Sequence, residues 1–308
     1  MSTLAINDAV LAAFANEVGA EGPVAVVGGR TRWEVGGGLE SETRTVEAPS
    51  GIVSYQPAEM TVLVRAGTPV AEFHEELAAH GQHTALPERG GTVGGAVAVG
   101  ENAFDVLGRG RVRDAVLQIR YVSAEGRLVT GGGPTVKNVS GYNLPKLLVG
   151  SLGTLGLFGD VVLRTNPMPA EQLWFECADT DPWHVYNSLL HPSAVLWDGR
   201  FTWVHLTGHA PDVAQQKGVL TRLGSFAEVG GPPPLPPRRR SMAPADLSDL
   251  REIDGQFIAE IGVGMLHTDE PAPAFTIAPG VAAVALRIKN EFDPTGRLNP
   301  GRTPGVGA

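Results

Sequence analysis

Three glycine-rich stretches, well separated along the chain, limit its possible folds more than any other feature. They are VVGGRTR (26–32), LPERGGTVGGAVAVG (86–100) and GSLGTLGLF (150–158). Glycine has no Cβ, so backbone at these places can approach other chain segments or a ligand closely. Main-chain N–H groups gathered in such loops can hold an elongated anionic ligand. The first stretch alone fits a hairpin turn equally well, but three together favour a ligand over tight turns in a small α+β core.

Two common nucleotide-binding patterns are absent from these stretches. Residues 23–27 predict a short buried strand leading into the first stretch, but no G-x-G-x-x-G opening a helix follows it. No G-K-[ST] follows either, which excludes a Walker loop. A phosphate-binding loop of another kind is the remaining functional interpretation.

Composition narrows the class of protein. The 308 residues carry a net charge of -9, which argues against a general surface for nucleic acid or anionic membranes. The single cysteine, Cys177, can form neither an intramolecular disulfide nor an iron–sulfur cluster. The first residues lack a basic leader, and no apolar run approaches the ~18 residues of a membrane span. We expect a cytoplasmic protein that reaches the inner face of a membrane only through partners.

Local patterns predict an α+β chain with a boundary near the NPMP sequence at 166–169. The expected domains are residues 1–167 and 168–308. The segment GGPPPLPPRRR (230–240) is expected to be an extended loop, since prolines exclude a helix or interior strand. Other predicted elements in order are a helix at 7–18, paired strands at 41–46 and 51–55, strands at 61–66, 114–122 and 157–163, a helix at 137–148, strands at 172–178, 194–197 and 201–206, and a helix at 280–292 with Val284, Ile288 and Phe292 facing inward.

Taken in order, these segments resemble the FAD-binding fold of the vanillyl-alcohol oxidase and p-cresol methylhydroxylase (PCMH) flavoproteins. The matching segments are the three glycine-rich stretches, VRAGTPVAEFHEELAAHGQ (64–82), VKNVSGY (136–142) and the tail FDPTGRLNPGR (292–302). The resemblance implies a two-subdomain FAD-binding fold, then a smaller α+β cap domain whose tail returns to the FAD domain. Within the family, KNVSGYN, VRDAVL and WDGRFTWVHLTG are similar to the smaller flavin subunit of bacterial glycolate oxidase.

The resemblance also implies which residues bind FAD. Leu152 stands where many relatives carry an acid, which removes a polar contact near the adenine end. No His or Cys lies between residues 22 and 51, and Cys177 lies beyond the first domain, so non-covalent FAD is expected. The implied cofactor-binding residues are Gly28, Gly29, Arg30 and Thr31 in the first loop, Thr92, Gly94, Gly95 and Ala98 in the second, Ser151, Gly153 and Gly156 near the adenosine, and Asn299 in the tail.

Catalytic residues are harder to assign. Oxidation of a 2-hydroxy acid needs an arginine for the carboxylate and a base near the flavin, and the cap offers Arg200 and His205. HLTGH does not suit a metal pair, so no metal is expected. Three hypotheses remain: an electron-relaying FAD subunit of a glycolate oxidase-like complex with a catalytic flavin subunit and an iron–sulfur subunit, a free-standing FAD-linked oxidase or dehydrogenase of a small hydroxy acid or alcohol, and a flavin-fold scaffold without redox function.

Overall fold

The computed structural model describes residues 8–133, 143–247, 250, 256–270 and 278–305. All of the segment KNVSGYN except its last residue, and the first half of the helix predicted at 137–148, lie outside these residues. The helices are α1 (Ala9–Val18), α2 (Val70–Ala79), α3 (Val93–Val99), α4 (Val106–Arg109), α5 (Val112–Ala115), α6 (Leu144–Leu148), α7 (Pro182–Ser188), α8 (Ala210–Leu223) and α9 (Pro279–Phe292). The strands are β1 (Val24–Val27), β2 (Arg44–Glu47), β3 (Ile52–Gln56), β4 (Thr61–Arg65), β5 (Gln82–His83), β6 (Val116–Val122), β7 (Leu128–Gly132), β8 (Leu157–Arg164), β9 (Asn166–Pro167), β10 (Glu171–Ala178), β11 (Ala194–Trp197), β12 (Phe201–Gly208), β13 (Ala227–Val229), β14 (Arg238–Ser241), β15 (Phe257–Glu260) and β16 (Met265–Thr268).

The α+β class is confirmed, and the chain divides into two compact units. The first unit comprises Met1–Asn102, Arg111–Pro167 and Thr276–Val306, and the second comprises Ala103–Gly110, Met168–Phe275 and Gly307–Ala308. One division falls at the NPMP sequence. A short segment before residue 111 belongs to the second unit, and the tail belongs to the first.

An antiparallel five-stranded sheet, in the order β3-β4-β8-β6-β7, forms the centre of the first unit. Phe73 and Leu77 of α2 and Val93 and Val97 of α3 belong to the buried core that this sheet helps to form. The strand predicted at 114–122 begins two residues later, because α5 occupies its start. β6 is buried at nearly every position, since it lies between β7 and β8.

A second, smaller sheet carries the first glycine-rich stretch. β1 pairs in parallel with β2, so the predicted pairing of 41–46 with 51–55 is wrong, and β3 pairs with β4 instead. The long connection between β1 and β2 permits a parallel arrangement that a short turn would not. The tail joins β1 on its other side: the N–H of Val24 donates to the Arg297 carbonyl and the N–H of Asn299 donates to the Val24 carbonyl, both at 2.9 Å.

α9 precedes this tail and packs against the rest of the first unit through its last two turns. Ile288 and Phe292 pack against the core as predicted. Val284 does not, since 55% of its surface is exposed. The inward face predicted for the helix is therefore confined to its C-terminal half.

The second unit is built on an antiparallel seven-stranded sheet, in the order β13-β10-β12-β11-β15-β16-β14. α7 and α8 pack against its central strands. The proline-rich segment is shorter than predicted, because Arg238–Ser241 form edge strand β14 against β16. β14 is an edge strand and pairs with a neighbour on one side only, a position where charged side chains are common.

Among the described residues, no helix has both the length and the hydropathy needed to cross a membrane.

Candidate cofactor site

One cleft in the first unit collects most of the predicted cofactor-binding residues. It consists of two adjoining cavities with about 580 and 440 Å³ of empty space, open to solvent. The two cavities share Val26, Gly28, Thr92, Gly95, Ala98 and Asn299. The first is also lined by Gly29, Arg30, Thr31, Arg32, Trp33, Val35, Gly91, Val99, Leu152 and Arg302, and the second by Val27, Ala48, Ala66, Gly67, Gly94, Gly153, Leu157 and Phe158.

The first glycine-rich stretch forms one wall of the cleft as it leaves β1. A Cβ at Gly29 would lie 2.8 Å from the Cα of Gly91, so the first and second stretches touch backbone to backbone. Arg30 adopts a left-handed conformation, with φ 54°. Within the described part of the chain, the main-chain N–H groups of residues 28–31 have no hydrogen-bond acceptor. These donors are therefore available to a ligand in the cleft.

The second glycine-rich stretch is not the loop that the sequence predicted. Residues 93–99 form α3, and the Thr92 hydroxyl caps it by accepting a hydrogen bond from the N–H of Gly95 at 3.3 Å. A Cβ at Gly94 would lie 2.7 Å from the Cβ of Ala66, so this glycine lets α3 pack against the end of β4. Its glycines thus serve helix packing as well as the cleft.

The third stretch meets the tail at the cleft. Leu152 and Asn299 both have left-handed backbones, with φ 52° and 44°, and Asn299 Nδ2 donates to the Leu152 carbonyl at 2.5 Å. The structure places Ser151 and Gly156 outside the cavity lining: Ser151 is buried, and a Cβ at Gly156 would strike the ring of Tyr121.

Arginine residues that the sequence interpretation passed over also line the cleft. Arg302 donates to the carbonyls of Trp33, Val35 and Gly37, and its guanidinium lies 4.7 Å from the centre of the Trp33 ring. Burial lowers the pKa of Arg302. It ends the tail motif FDPTGRLNPGR, which was the one available signal. Arg32 is the other such residue.

The residues of the cleft fit a dinucleotide such as FAD. Asn299 lines both cavities, and its Oδ1 atom is buried and has no hydrogen-bond partner among the described residues, so an acceptor is left unused on this side. The main-chain donors of 28–31 are unused on the other side. A Cβ at Gly29 would strike the backbone of Gly91 and one at Gly94 would strike Ala66, so neither position has room for a side chain. Gathered main-chain N–H donors of this kind suit phosphate groups.

The two catalytic candidates lie in the second unit and are not brought together. Arg200 is exposed in the turn before β12, with its guanidinium 5.2 Å from the centre of the Phe201 ring. His205 is 5% exposed in the middle of β12 and stacks on Trp174, with ring centres 4.4 Å apart. Burial lowers the pKa of His205 to about 4, although Asp105 acts in the opposite direction. His205 is therefore neutral at pH 7. Among the described residues, no group of three side chains could hold a metal ion.

Comparison with known proteins identifies a domain in the first part of the chain. Residues 7–132 match a family model described as FAD binding domain. Glycolate oxidase subunit GlcE of Escherichia coli is 34% identical over 155 residues, which are 49% of this chain and 44% of GlcE. D-lactate dehydrogenase of Archaeoglobus fulgidus is 43% identical over 76 residues, which are 25% of this chain and 17% of that protein.

Solved structures share the fold at much lower sequence identity. A structure of alkyldihydroxyacetonephosphate synthase superimposes with a TM-score of 0.64 at 13% identity, covering 90% of this chain and 71% of that one. The alignments with the two sequence relatives span less than half the length of either relative. The fold, the cleft and the matched domain agree: residues 7–132 form a FAD-binding domain similar to that of the PCMH-type flavoproteins, and its cofactor is FAD.

Proposed function

We propose that this chain is the FAD-binding, electron-relaying subunit of a glycolate oxidase-like 2-hydroxy acid dehydrogenase complex. The observation that carries the proposal is the cleft, in which all three glycine-rich stretches and the tail meet around unused main-chain donors. The relatives suggest the chemical class, since one is a glycolate oxidase subunit and another a D-lactate dehydrogenase. When bound, FAD accepts electrons from a donor and passes them to an acceptor.

The cofactor is held non-covalently in this proposal. A covalent flavin link needs a nucleophilic side chain, and no His or Cys occurs among the described residues that line the two cavities. Acid precipitation of the flavin-loaded protein tests this point. Yellow flavin should remain in the supernatant, and flavin retained in the washed pellet would contradict non-covalent binding.

A relay role fits the second unit better than a complete active site. Arg200 is exposed and His205 is buried, neutral and stacked on Trp174, so the two candidates do not form a carboxylate clamp with an adjacent base. The substrate would then react on a partner, which is a catalytic flavin subunit. In this proposal electrons leave through an iron–sulfur cluster. The single cysteine of this chain cannot ligate a cluster, so the cluster belongs to an iron–sulfur subunit of the complex. We place this complex in the cytoplasm, at the inner face of the membrane through its partners.

Anaerobic reduction tests the relay role. The purified chain, loaded with FAD, is mixed with glycolate or D-lactate while flavin absorbance near ~450 nm is followed. We expect no bleaching from the chain alone and bleaching after its catalytic flavin subunit, co-purified from the native host, is added. Bleaching by the isolated chain would establish the free-standing oxidase or dehydrogenase instead. A chain that retains no FAD would favour the scaffold.

A further inference from the structure

Arg32, beside the first cavity of the cleft, has one guanidinium nitrogen whose two N–H donors are unused among the described residues. Its side chain lines the first cavity and is 9% exposed. The Nε atom donates to Oε2 of Glu101 at 2.8 Å, and Nη1 donates to the Thr31 hydroxyl at 3.1 Å and the Gly90 carbonyl at 3.2 Å. The remaining nitrogen, Nη2, is buried and has no partner within the residues that the structure describes. A buried charged donor without an acceptor is costly, so an acceptor is expected there.

Glu101 holds this guanidinium in a fixed orientation. It follows α3, its side chain is 13% exposed, and it also forms an ion pair with the more exposed Arg89. A guanidinium is planar with its five donors in a rigid fork. Once Nε and Nη1 are bound by Glu101, Thr31 and Gly90, the direction of Nη2 is therefore set. The orientation of Arg32 is therefore set by Thr31 of the first glycine-rich stretch, Gly90 of the second, and Glu101 just after it.

We propose that Arg32 makes the cleft select a flavin that carries phosphate over the same flavin without it, and that Glu101 is the positioning residue that aims Arg32. A phosphate oxygen is the acceptor that suits a buried guanidinium donor, and charge-assisted hydrogen bonds of this kind are strong. The main-chain donors of residues 28–31 line the same cavity and add neutral contacts to the anion. This inference rests on FAD as the cofactor of the proposed function, but not on the relay role.

The alternative is that Arg32 joins the first two walls without contacting the ligand. Arg32 and Glu101 do link the first glycine-rich stretch to the end of α3, so their loss could loosen the whole cleft. Loosening would weaken every flavin that binds there. Loss of a phosphate contact would weaken FAD and leave riboflavin, the flavin without phosphate, almost unaffected.

Fluorescence titration of the apoprotein with FAD and with riboflavin separates the two cases. For Arg32→Gln we expect FAD to bind about ten- to a hundredfold more weakly, while riboflavin affinity changes by less than about threefold. Arg127→Gln is the matched control, because it removes the same charge from an exposed turn outside the cleft and should change neither affinity. Should Arg32→Gln not fold, Arg32→Lys keeps the charge but not the fork and should show a smaller, still FAD-specific, loss.

Glu101→Gln gives a test in which the two physical effects have opposite signs. Removing a negative charge beside the cleft would strengthen phosphate binding by Coulomb attraction alone. If Glu101 acts by aiming Arg32, FAD binding weakens severalfold in spite of the lost negative charge. Equal weakening of FAD and riboflavin in Arg32→Gln, unchanged FAD affinity in that variant, or tighter FAD binding in Glu101→Gln would each overturn the inference and leave the relay role standing.

Discussion

Replacing Arg297 with lysine tests what holds the tail to the first unit. The Arg297 side chain is buried, with 5% of the residue exposed, and each of its five N–H donors meets a main-chain carbonyl. The accepting carbonyls belong to Val18, Gly19, Glu21, Gly22 and Ala124, at 2.9 to 3.2 Å. Lysine keeps a positive charge but has three donors on one nitrogen, so at least two carbonyls lose their partner.

The expected cost follows from those lost hydrogen bonds. Each buried carbonyl left without a donor costs about 1–3 kcal/mol, so Arg297→Lys should lower the free energy of unfolding by roughly 3 kcal/mol. In a unit of this size, that corresponds to a fall in Tm of about 6–12 °C. Because Asn299 and Arg302 follow on the same tail and line the cleft, FAD should also dissociate faster.

Thermal and urea unfolding followed by circular dichroism, with and without FAD, measures both effects. Arg200→Lys is the control, since Arg200 is exposed and the change should stay within about 0.5 kcal/mol. The reasoning would be refuted if Arg297→Lys lost no more stability than Arg200→Lys. Loss of FAD affinity without loss of stability would show that the tail acts on the ligand directly, rather than through its attachment to the first unit.

Two further outcomes follow from the structure. The depressed pKa of His205, about 4 against an ordinary 6.5, means that the unfolded chain binds more protons between those values. The contribution of His205 to the free energy of unfolding should be fully present above about pH 6.5 and fall toward pH 4 by up to ~1.4 kcal/mol per pH unit. Urea midpoints measured across this range should depend less on pH in His205→Phe. A pH profile of the variant that runs parallel to that of the unsubstituted protein would contradict this prediction. Gly29→Ala should cost about 1–3 kcal/mol and weaken FAD binding in a titration, because its Cβ would meet backbone at 2.8 Å. Gly38→Ala, which meets open space, should stay within about 1 kcal/mol, and equal losses in the two variants would refute the steric argument.

Much of the cleft was predictable because its signals are local. Strand β1 and the glycines after it lie together in the chain, so Gly28, Gly29, Arg30 and Thr31 could be selected as a group. α3 was missed, because a glycine-rich stretch resembles a loop and the packing of Gly94 on Ala66 that favours a helix is non-local.

Arg32 could not be selected from the sequence either. Its partner Glu101 lies 69 residues away, and the ion pair forms after two separate segments have packed together. Arg302 was passed over for the same reason, since the carbonyls that it contacts lie 265 to 269 residues away. The catalytic candidates show the reverse error: Arg200 and His205 are close in sequence, yet one is exposed and the other is buried under stacking contacts.

The amino-acid sequence by itself determined the local properties: where the backbone carries no side chains, which segments could become strands, and that one cysteine could ligate no cluster. Tertiary structure decided which strands pair, which glycines face the cleft and which polar atoms are left without partners. The physical reason is that a side chain's exposure, its partners and its pKa depend on groups brought near by folding. Spacing along the chain does not encode those groups in any local pattern.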